Sequence, residues 1–307
     1  MNFDETIPKK PSSWNNDRLH FFKYMSFETA EIVLTNRTLR WSTPRTLNDL
    51  YDVQFDMGLD MDLERLDDLS YEKMWKVVSG EILPNEKTRI GQLLRFLGSS
   101  VKYASKDEFA RAFDGVVKEG YERMLARLPE TQREIREYME DLKVLCLTED
   151  PTNPPMWAHY AQQDSGVVIR LRSIPALDTP YGMAVSINYL QELPSLADEE
   201  HFSNVLSGIQ TDNYRAQINR MMYSKGSAWS YEKEWRISSG DGRNKTAPYE
   251  DISFGLNDLD GVILGINMSA ENRRKIIELT KSFPNVELLE AKRSTSGFHH
   301  DIVPIAD

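Results

Sequence analysis

The sequence predicts an α+β fold: a mixed, mainly antiparallel sheet core carrying a helical insertion. Short aromatic or β-branched runs near both ends of the chain alternate with period two, as half-buried strands do. Residues 59–143 instead place apolar side chains near i, i+3 and i+4, the spacing of amphipathic helices. At 307 residues the chain can bury a sizeable core without disulfides or metals. The expected layout is a loose N-terminal arm over 1–18, a core from 19–58 and 144–307, and the insertion over 59–143.

The arm is rich in Pro, Ser, Asn and charge. LHFFKYM (19–25) suits a strand. Ser26 caps a helix over 27–36, and LRWST (39–43) is a second strand ended by Pro44. RTLNDLYD (45–52) is polar and turn-rich, a loop. Pro84 and Pro129, which lack the N–H of an interior helical residue, break the helical run of the insertion. VLCLT (144–148) is a strand, and NPPMWAHYAQQ (153–163) a helix with Asn153 as cap and Pro154 in the first turn. VVIRLR (167–172) and MAVSINYL (183–190) are strands, followed by a helical stretch from Asp198 to about Met222. YEKEWRIS (231–238) alternates as a strand does, and SSGDGRNK (238–245) reads as a hairpin turn. GVILGI (261–266) is a buried strand. SAENRRKIIELTKSF (269–283) is a helix capped by Ser269, with Glu271–Lys275 as an i, i+4 pair. VELLEA (286–291) and FHHDIVPI (298–305) close the sheet.

With 37 basic and 48 acidic side chains the formal charge is −11, which opposes broad, non-specific attraction to nucleic acid or a membrane surface. The single cysteine, Cys146, excludes an internal disulfide and any multi-cysteine zinc site. No run approaches the ~20 apolar residues of a membrane helix. A cytoplasmic protein with no membrane association and no metal is expected. There is no phosphate loop, no dinucleotide-binding glycine fingerprint, no H-E-x-x-H and no G-x-S-x-G. Cys146 between Leu145 and Leu147 reads as a buried, inert thiol.

Four places carry polar residues that a plain core does not require. In the first strand, His20, Phe22 and Tyr24 share one face, and Phe21, Lys23 and Met25 the other. Lys23 suits either an edge strand or a face presented to a ligand. In the 45–52 loop, Arg45, Asn48, Asp49 and Asp52 either shape a turn or form a functional loop. In the 153–163 helix, Trp157 anchors the core, while His159 and Tyr160 project together to solvent or to a cleft. In KGSAWSYEKEWR (225–236), a strand puts Glu232, Glu234 and Arg236 on one face. That face, with Lys225 close by in sequence, is either an ordinary charge ladder or a site in which carboxylates orient a hydroxyl and Arg236 binds phosphate.

These four places also carry a resemblance. HFFKYMSFETAEIVLTNRTLRWSTPRTLNDLYD, LCLTEDPTNPPMWAHYAQQDSGVVIRL, KGSAWSYEKEWRI and GVILGINMSAENRRKII resemble the bacterial family called domain of unknown function 2971. The resemblance runs from about residue 19 to 305, interrupted by 59–143, and implies no activity of itself. A weaker likeness is to the ADP-ribosyltransferase fold, whose opening strand, helix and short second strand this chain is similar to. That likeness implies NAD as substrate, with no metal. It implies Glu234 as catalytic carboxylate preceded by Glu232, Tyr160 stacking on nicotinamide, and Lys23, Tyr24, Arg45, Asn48, His159, Lys225 and Arg236 around the cofactor. A carboxylate stabilises the oxocarbenium-like transition state left as nicotinamide departs.

Three readings follow. The first is an ADP-ribosyltransferase-like effector of toxin or defence type, or an NAD glycohydrolase, with a nucleic acid or a protein as acceptor. The second is a metal-independent nucleic-acid-cleaving effector using Lys225, Glu232, Glu234 and Arg236. The third is a non-catalytic sensor, with a protein partner on the 59–143 helices and the Glu-x-Glu-x-Arg strand a surface ladder worth ~0–1 kcal/mol.

Overall fold

A computed structural model describes residues 10–100, 103, 105–210, 214–240 and 242–305. In chain order its elements begin with β1 (His20–Met25), α1 (Phe27–Asn36) and β2 (Thr38–Ser42). Four helices follow: α2 (Leu63–Val78), α3 (Arg89–Ser100), α4 (Lys106–Ala112) and α5 (Val116–Asp141). Next come β3 (Val144–Thr148), α6 (Pro154–Tyr160), β4 (Val167–Arg172), β5 (Val185–Ser186), β6 (Asn188–Leu190), α7 (Glu199–Leu206) and α8 (Tyr214–Met222). The chain continues with β7 (Ser224–Gly226), β8 (Glu234–Ser238), β9 (Tyr249–Ser253), β10 (Leu259–Leu264), α9 (Ala270–Thr280), β11 (Glu287–Arg293) and β12 (His300–Pro304). The fold is α+β, and the sheet is mixed and mainly antiparallel.

The described residues form two compact units: those within 10–52, 140–191 and 223–305, and those within 53–139 and 192–222. The second unit thus takes 192–222 as well as most of the helical region expected at 59–143, whose last residues, 140–143, lie in the first unit. It has its own core, with Leu66 and Phe109 fully buried beside Met74, Leu94 and Phe202. Here α2 packs on α7. Gly91 packs against Gly208, where a Cβ on either would come within 3 Å of the other's backbone.

The first unit is built on the sheet, in the order β12-β11-β10-β4-β1-β3-β2-β9, with β8 beside β3 and β5 beside β8. Strand alternation sorts its two faces. Phe21, Ile169, Val262, Leu145 and Ile237 join α1 and α9 in one apolar core. Tyr24, Val168, Ile263 and Leu289 face α6, whose Trp157 is fully buried and meets Tyr24 edge-on at 5.4 Å. The pairing around β3 is uneven. β8 covers one edge along its whole length, from Val144↔Ser238 to Thr148↔Glu234. On the other edge β1 pairs only at Thr148 and β2 only at Val144, so β1 and β2 splay apart over the middle of β3. Lys23 Nζ reaches into that split and donates to the Cys146 carbonyl at 2.8 Å, replacing a ladder bond.

Local chemistry explains most elements. Ser26, Asn153 and Ser269 cap α1, α6 and α9 by accepting the backbone N–H groups of Thr29, Met156 and Asn272. Several expectations are corrected. Residues 10–18 of the arm are docked: the Asn16 amide donates to the Tyr181, Gly182 and Ala184 carbonyls, and Trp14 lies over Gly182, where a Cβ would overlap the ring. Residues 1–9 of that arm lie outside the described residues. Pro129 does not break the helix but sits inside α5 on an exposed position. The 45–52 loop opens with a 3-10 turn at Pro44–Thr46. The 183–190 strand is two short strands, since β5 pairs with β8 whereas β6 pairs with β7. The helical stretch from Asp198 is α7 and α8, separated by a segment that includes 211–213, outside the described residues. Residues 238–245 make no hairpin, because β8 pairs with β3 and β5 whereas β9 pairs with β2. Lys275 pairs with Glu31 of α1 at 2.6 Å rather than with Glu271, because docking α9 on α1 offers a partner across the interface.

Candidate functional site

Beside the split between β1 and β2 the first unit holds a cavity of about 290 Å³. Its walls include Phe22, Tyr24 and Met156, and its polar lining includes Lys23, Asn48 and Tyr160. At its floor Asp52, Lys225, Glu232 and Glu234 meet, each at most 6% exposed. They arrive from four places in the chain. Alternation on β8 sends Trp235 and Ile237 to the apolar core and Glu234 and Arg236 to the opposite, polar face. Glu232 is not on that strand. It ends a 3-10 turn, Ser227–Glu232, and Lys233 at φ 45° turns the chain into β8, so the expected strand over 231–233 is replaced by a corner. Lys225 comes from the short β7, and Asp52 from the loop after β2.

The ionic geometry is dense. Lys225 Nζ donates to Glu232 Oε2 at 2.6 Å and Glu234 Oε2 at 3.0 Å, and lies 3.4 Å from Asp52 Oδ2. Arg236 Nε donates to Glu234 Oε1 at 2.6 Å, and its Nη2 donates to Asp52 Oδ2 at 2.7 Å. Tyr160 Oη donates to Glu232 Oε1 at 2.5 Å and accepts from Asn48 Nδ2 at 2.8 Å. Trp229 lies against Lys225, with its ring centroid 5.0 Å from Nζ. Asp52 Oδ1 is buried without a hydrogen-bond partner.

Three carboxylates meet two cations in this cluster, and the protonation preferences follow. Burial opposes ionisation of Glu234, but Arg236 and Lys225 outweigh it and hold the carboxyl at about 2. Burial pushes Asp52 up against the opposing pull of Arg236 and Lys225. It pushes Glu232 up as well, against Lys225 and Tyr160. One proton retained on Asp52 or Glu232 neutralises the group, which the low-dielectric setting favours. Lys225 is raised: burial alone would lower it, but Glu234, Asp52 and Glu232 prevail. Burial, with Glu234 beside it, pushes the Cys146 thiol up to about 12, so it stays protonated.

Of the residues expected at a site, Glu234, Glu232, Tyr160, Lys23, Tyr24, Asn48 and Lys225 all line the cavity. Tyr24 donates its hydroxyl to the Asp150 carbonyl at 2.9 Å. Three others have different places. Arg236 is fully buried behind the floor, paired with Glu234 and Asp52, and is absent from the cavity lining. Arg45 is exposed and lies 3.6 Å from Glu140, outside the cavity lining. His159 turns to the surface, where its Nδ1 meets the Tyr231 hydroxyl at 3.1 Å; Tyr160, one position on, points into the cavity because successive helical side chains differ by ~100°. The Glu-x-Glu-x-Arg segment is a buried cluster, not a surface ladder, because both carboxylates and the guanidinium lie under the cavity. The sequence places Asp52 among the four polar residues of a loop that either shapes a turn or is functional, and not beside Glu234 and Arg236. Its role at the floor arises from a contact 184 positions away along the chain, which no local pattern encodes.

Among the described residues no group of three or more His, Cys, Asp or Glu side chains is placed to hold a metal ion. No helix among them is long and apolar enough to cross a membrane. No curated protein and no solved structure matches the chain. The resemblance expected over 19–305 has a matching model over a shorter span, from α6 to β8, which carries Tyr160, Lys225, Glu232, Glu234 and Arg236. Residues 156–237 match the model of the family described as Protein of unknown function (DUF2971).

Proposed function

We propose that the protein is an ADP-ribosyltransferase-like enzyme or NAD glycohydrolase that cleaves the nicotinamide–ribose bond of NAD. The observation that supports this best is the Tyr160–Glu232 hydrogen bond of 2.5 Å at the floor of an aromatic-walled cavity. At about 290 Å³ the cavity is at the small end of the ~300–1,000 Å³ typical of ligand sites. It suits the nicotinamide ribosyl end of a dinucleotide rather than the whole. In this reading Phe22 and Tyr24 flank the leaving ring. The C–N bond breaks with its electron pair leaving on nicotinamide, and the ribosyl cation is stabilised by the floor carboxylates. Water, or a nucleophile of a nucleic acid or protein acceptor, attacks the ribosyl carbon and gives up its proton to Glu232. Glu234 supplies negative charge, held in place by Arg236. A defence or toxin role belongs to the same proposal.

The test is nicotinamide release from NAD by purified protein, alone and with RNA, DNA or lysate. Tyr160→Phe and Glu232→Gln are the informative variants, with circular dichroism as the check on folding. Release by the wild type, reduced about 100-fold or more in Glu232→Gln, is the expected outcome. Folded wild-type protein that releases nothing under any of these conditions removes the proposal.

A further inference from the structure

The cations around the cavity are not equivalent. Lys225 is shared among three carboxylates. Arg40, also in the lining, is bound to Asp251 through two hydrogen bonds of 3.0 and 3.2 Å. Lys23 has no carboxylate within 4 Å among the described residues; its single hydrogen bond is to the Cys146 carbonyl. It lies in the split of the sheet, partly buried, with the remaining valences of its nitrogen free to meet whatever enters the cavity.

A lysine amine becomes a nucleophile when it is neutral, and it becomes neutral when it is desolvated without a counter-ion. From the isolation of Lys23 Nζ within this cavity, we propose that Lys23 is an amine nucleophile that forms an imine with a small planar aldehyde or ketone. The inference goes beyond NAD cleavage and does not depend on it. Burial pulls Lys23 below the ordinary lysine value, against the weaker opposing pull of the Glu234 carboxylate. Each unit of such lowering gives about tenfold more free amine at neutral pH.

The step balances without any oxidant or reductant. The Nζ lone pair attacks the carbonyl carbon, and the C=O π pair moves to oxygen. Nitrogen loses a proton and oxygen gains one, giving the carbinolamine. The oxygen takes a second proton and leaves as water while the nitrogen lone pair completes the C=N bond, giving the iminium; release of the remaining proton on nitrogen gives the imine and returns the proton used to expel water. The Tyr160–Glu232 pair lines the same cavity and offers a route for these protons. Phe22 and Tyr24 provide flat apolar surface for the carbonyl substituent.

The experiment is reductive trapping of the full chain with benzaldehyde and cyanoborohydride, followed by peptide mass mapping over a pH series. Lys23 is expected to be modified about tenfold faster than the surface lysines Lys281 and Lys292, with its rate profile displaced to lower pH. Lys23→Met, checked for folding by circular dichroism, loses the adduct on its peptide and keeps the slow surface labelling. Lys23→Arg is the second variant should methionine unfold the strand. Modification of Lys23 no faster than the surface lysines, or a profile coincident with theirs, overturns the proposal. Nicotinamide release is read separately, so silence with NAD and trapping at Lys23 are distinguishable results.

Discussion

Glu234 shows how one side chain changes meaning with burial. As an exposed strand charge it would contribute ~0–1 kcal/mol. At 6% exposure and bound by Arg236 and Lys225, it leaves two buried cations short of a partner when neutralised. Glu234→Gln is therefore expected to cost about 3–5 kcal/mol in urea unfolding, and a silent Glu234→Gln in an activity assay reports stability as well as chemistry. Its pH behaviour follows from the same contacts. The folded-state value near 2 lies below the ordinary 4.5, so its stabilisation is present above 4.5 and is lost as pH falls towards 2. Asp52 and Glu232 are raised and act in the opposite sense, favouring the folded state as they take up protons. Unfolding curves recorded from pH 5 to 2 should lose stability in the wild type, with a shallower slope in Glu234→Gln; equal slopes would contradict this assignment.

Two elements carry backbone arrangements with a measurable cost. After α6 the chain passes through Gln162, Gln163 and Asp164 at φ 50°, 53° and 66°, three left-handed residues in succession without a glycine. The turn is held from outside: His300 Nε2 lies 2.6 Å from Asp164 Oδ1, and the Asn267 amide donates to the Gln163 carbonyl. Left-handed backbone costs an L-residue ~1–2 kcal/mol; glycine escapes that cost but loses part of the gain to its looser unfolded state. The exposed Gln163→Gly should therefore stabilise the protein by up to about 1 kcal/mol, read as a higher Tm. In α5, Pro129→Ala restores an N–H to a helix interior and should add up to about 3 kcal/mol, read by urea unfolding. Loss of stability in either variant would show that the backbone needs the native residue there.

At the scale of the whole chain, charge sets the terms of association. The formal charge of −11 gives no counterion-release drive towards a polyanion, and the cavity's cations are few and largely paired. Binding to random-sequence duplex DNA is expected to be undetectable at physiological salt by fluorescence anisotropy. Tight, salt-sensitive binding would reveal a basic surface that these charges do not provide.

The alternation of EWRIS, the caps at Ser26, Asn153 and Ser269, and the change of apolar period near residue 59 are local properties of covalent geometry. They were therefore readable from the sequence, as were the α+β class and most elements. Pro129 stays inside α5 against the sequence expectation because packing along a 26-residue helix can outweigh the loss of one hydrogen bond. Lys275 turns from the local Glu271 to Glu31 because a neighbouring helix offers it another carboxylate. Seven of the expected site residues were visible as polar types out of place in apolar surroundings. Their meeting was not, because it depends on the corner at Lys233, the split beside β3 and the arrival of Asp52. The sequence by itself determined which side chains each element presents, since periodicity needs only the bond geometry of neighbours. Only the tertiary structure decided which of those charges became buried partners, because that depends on contacts between residues up to 184 positions apart.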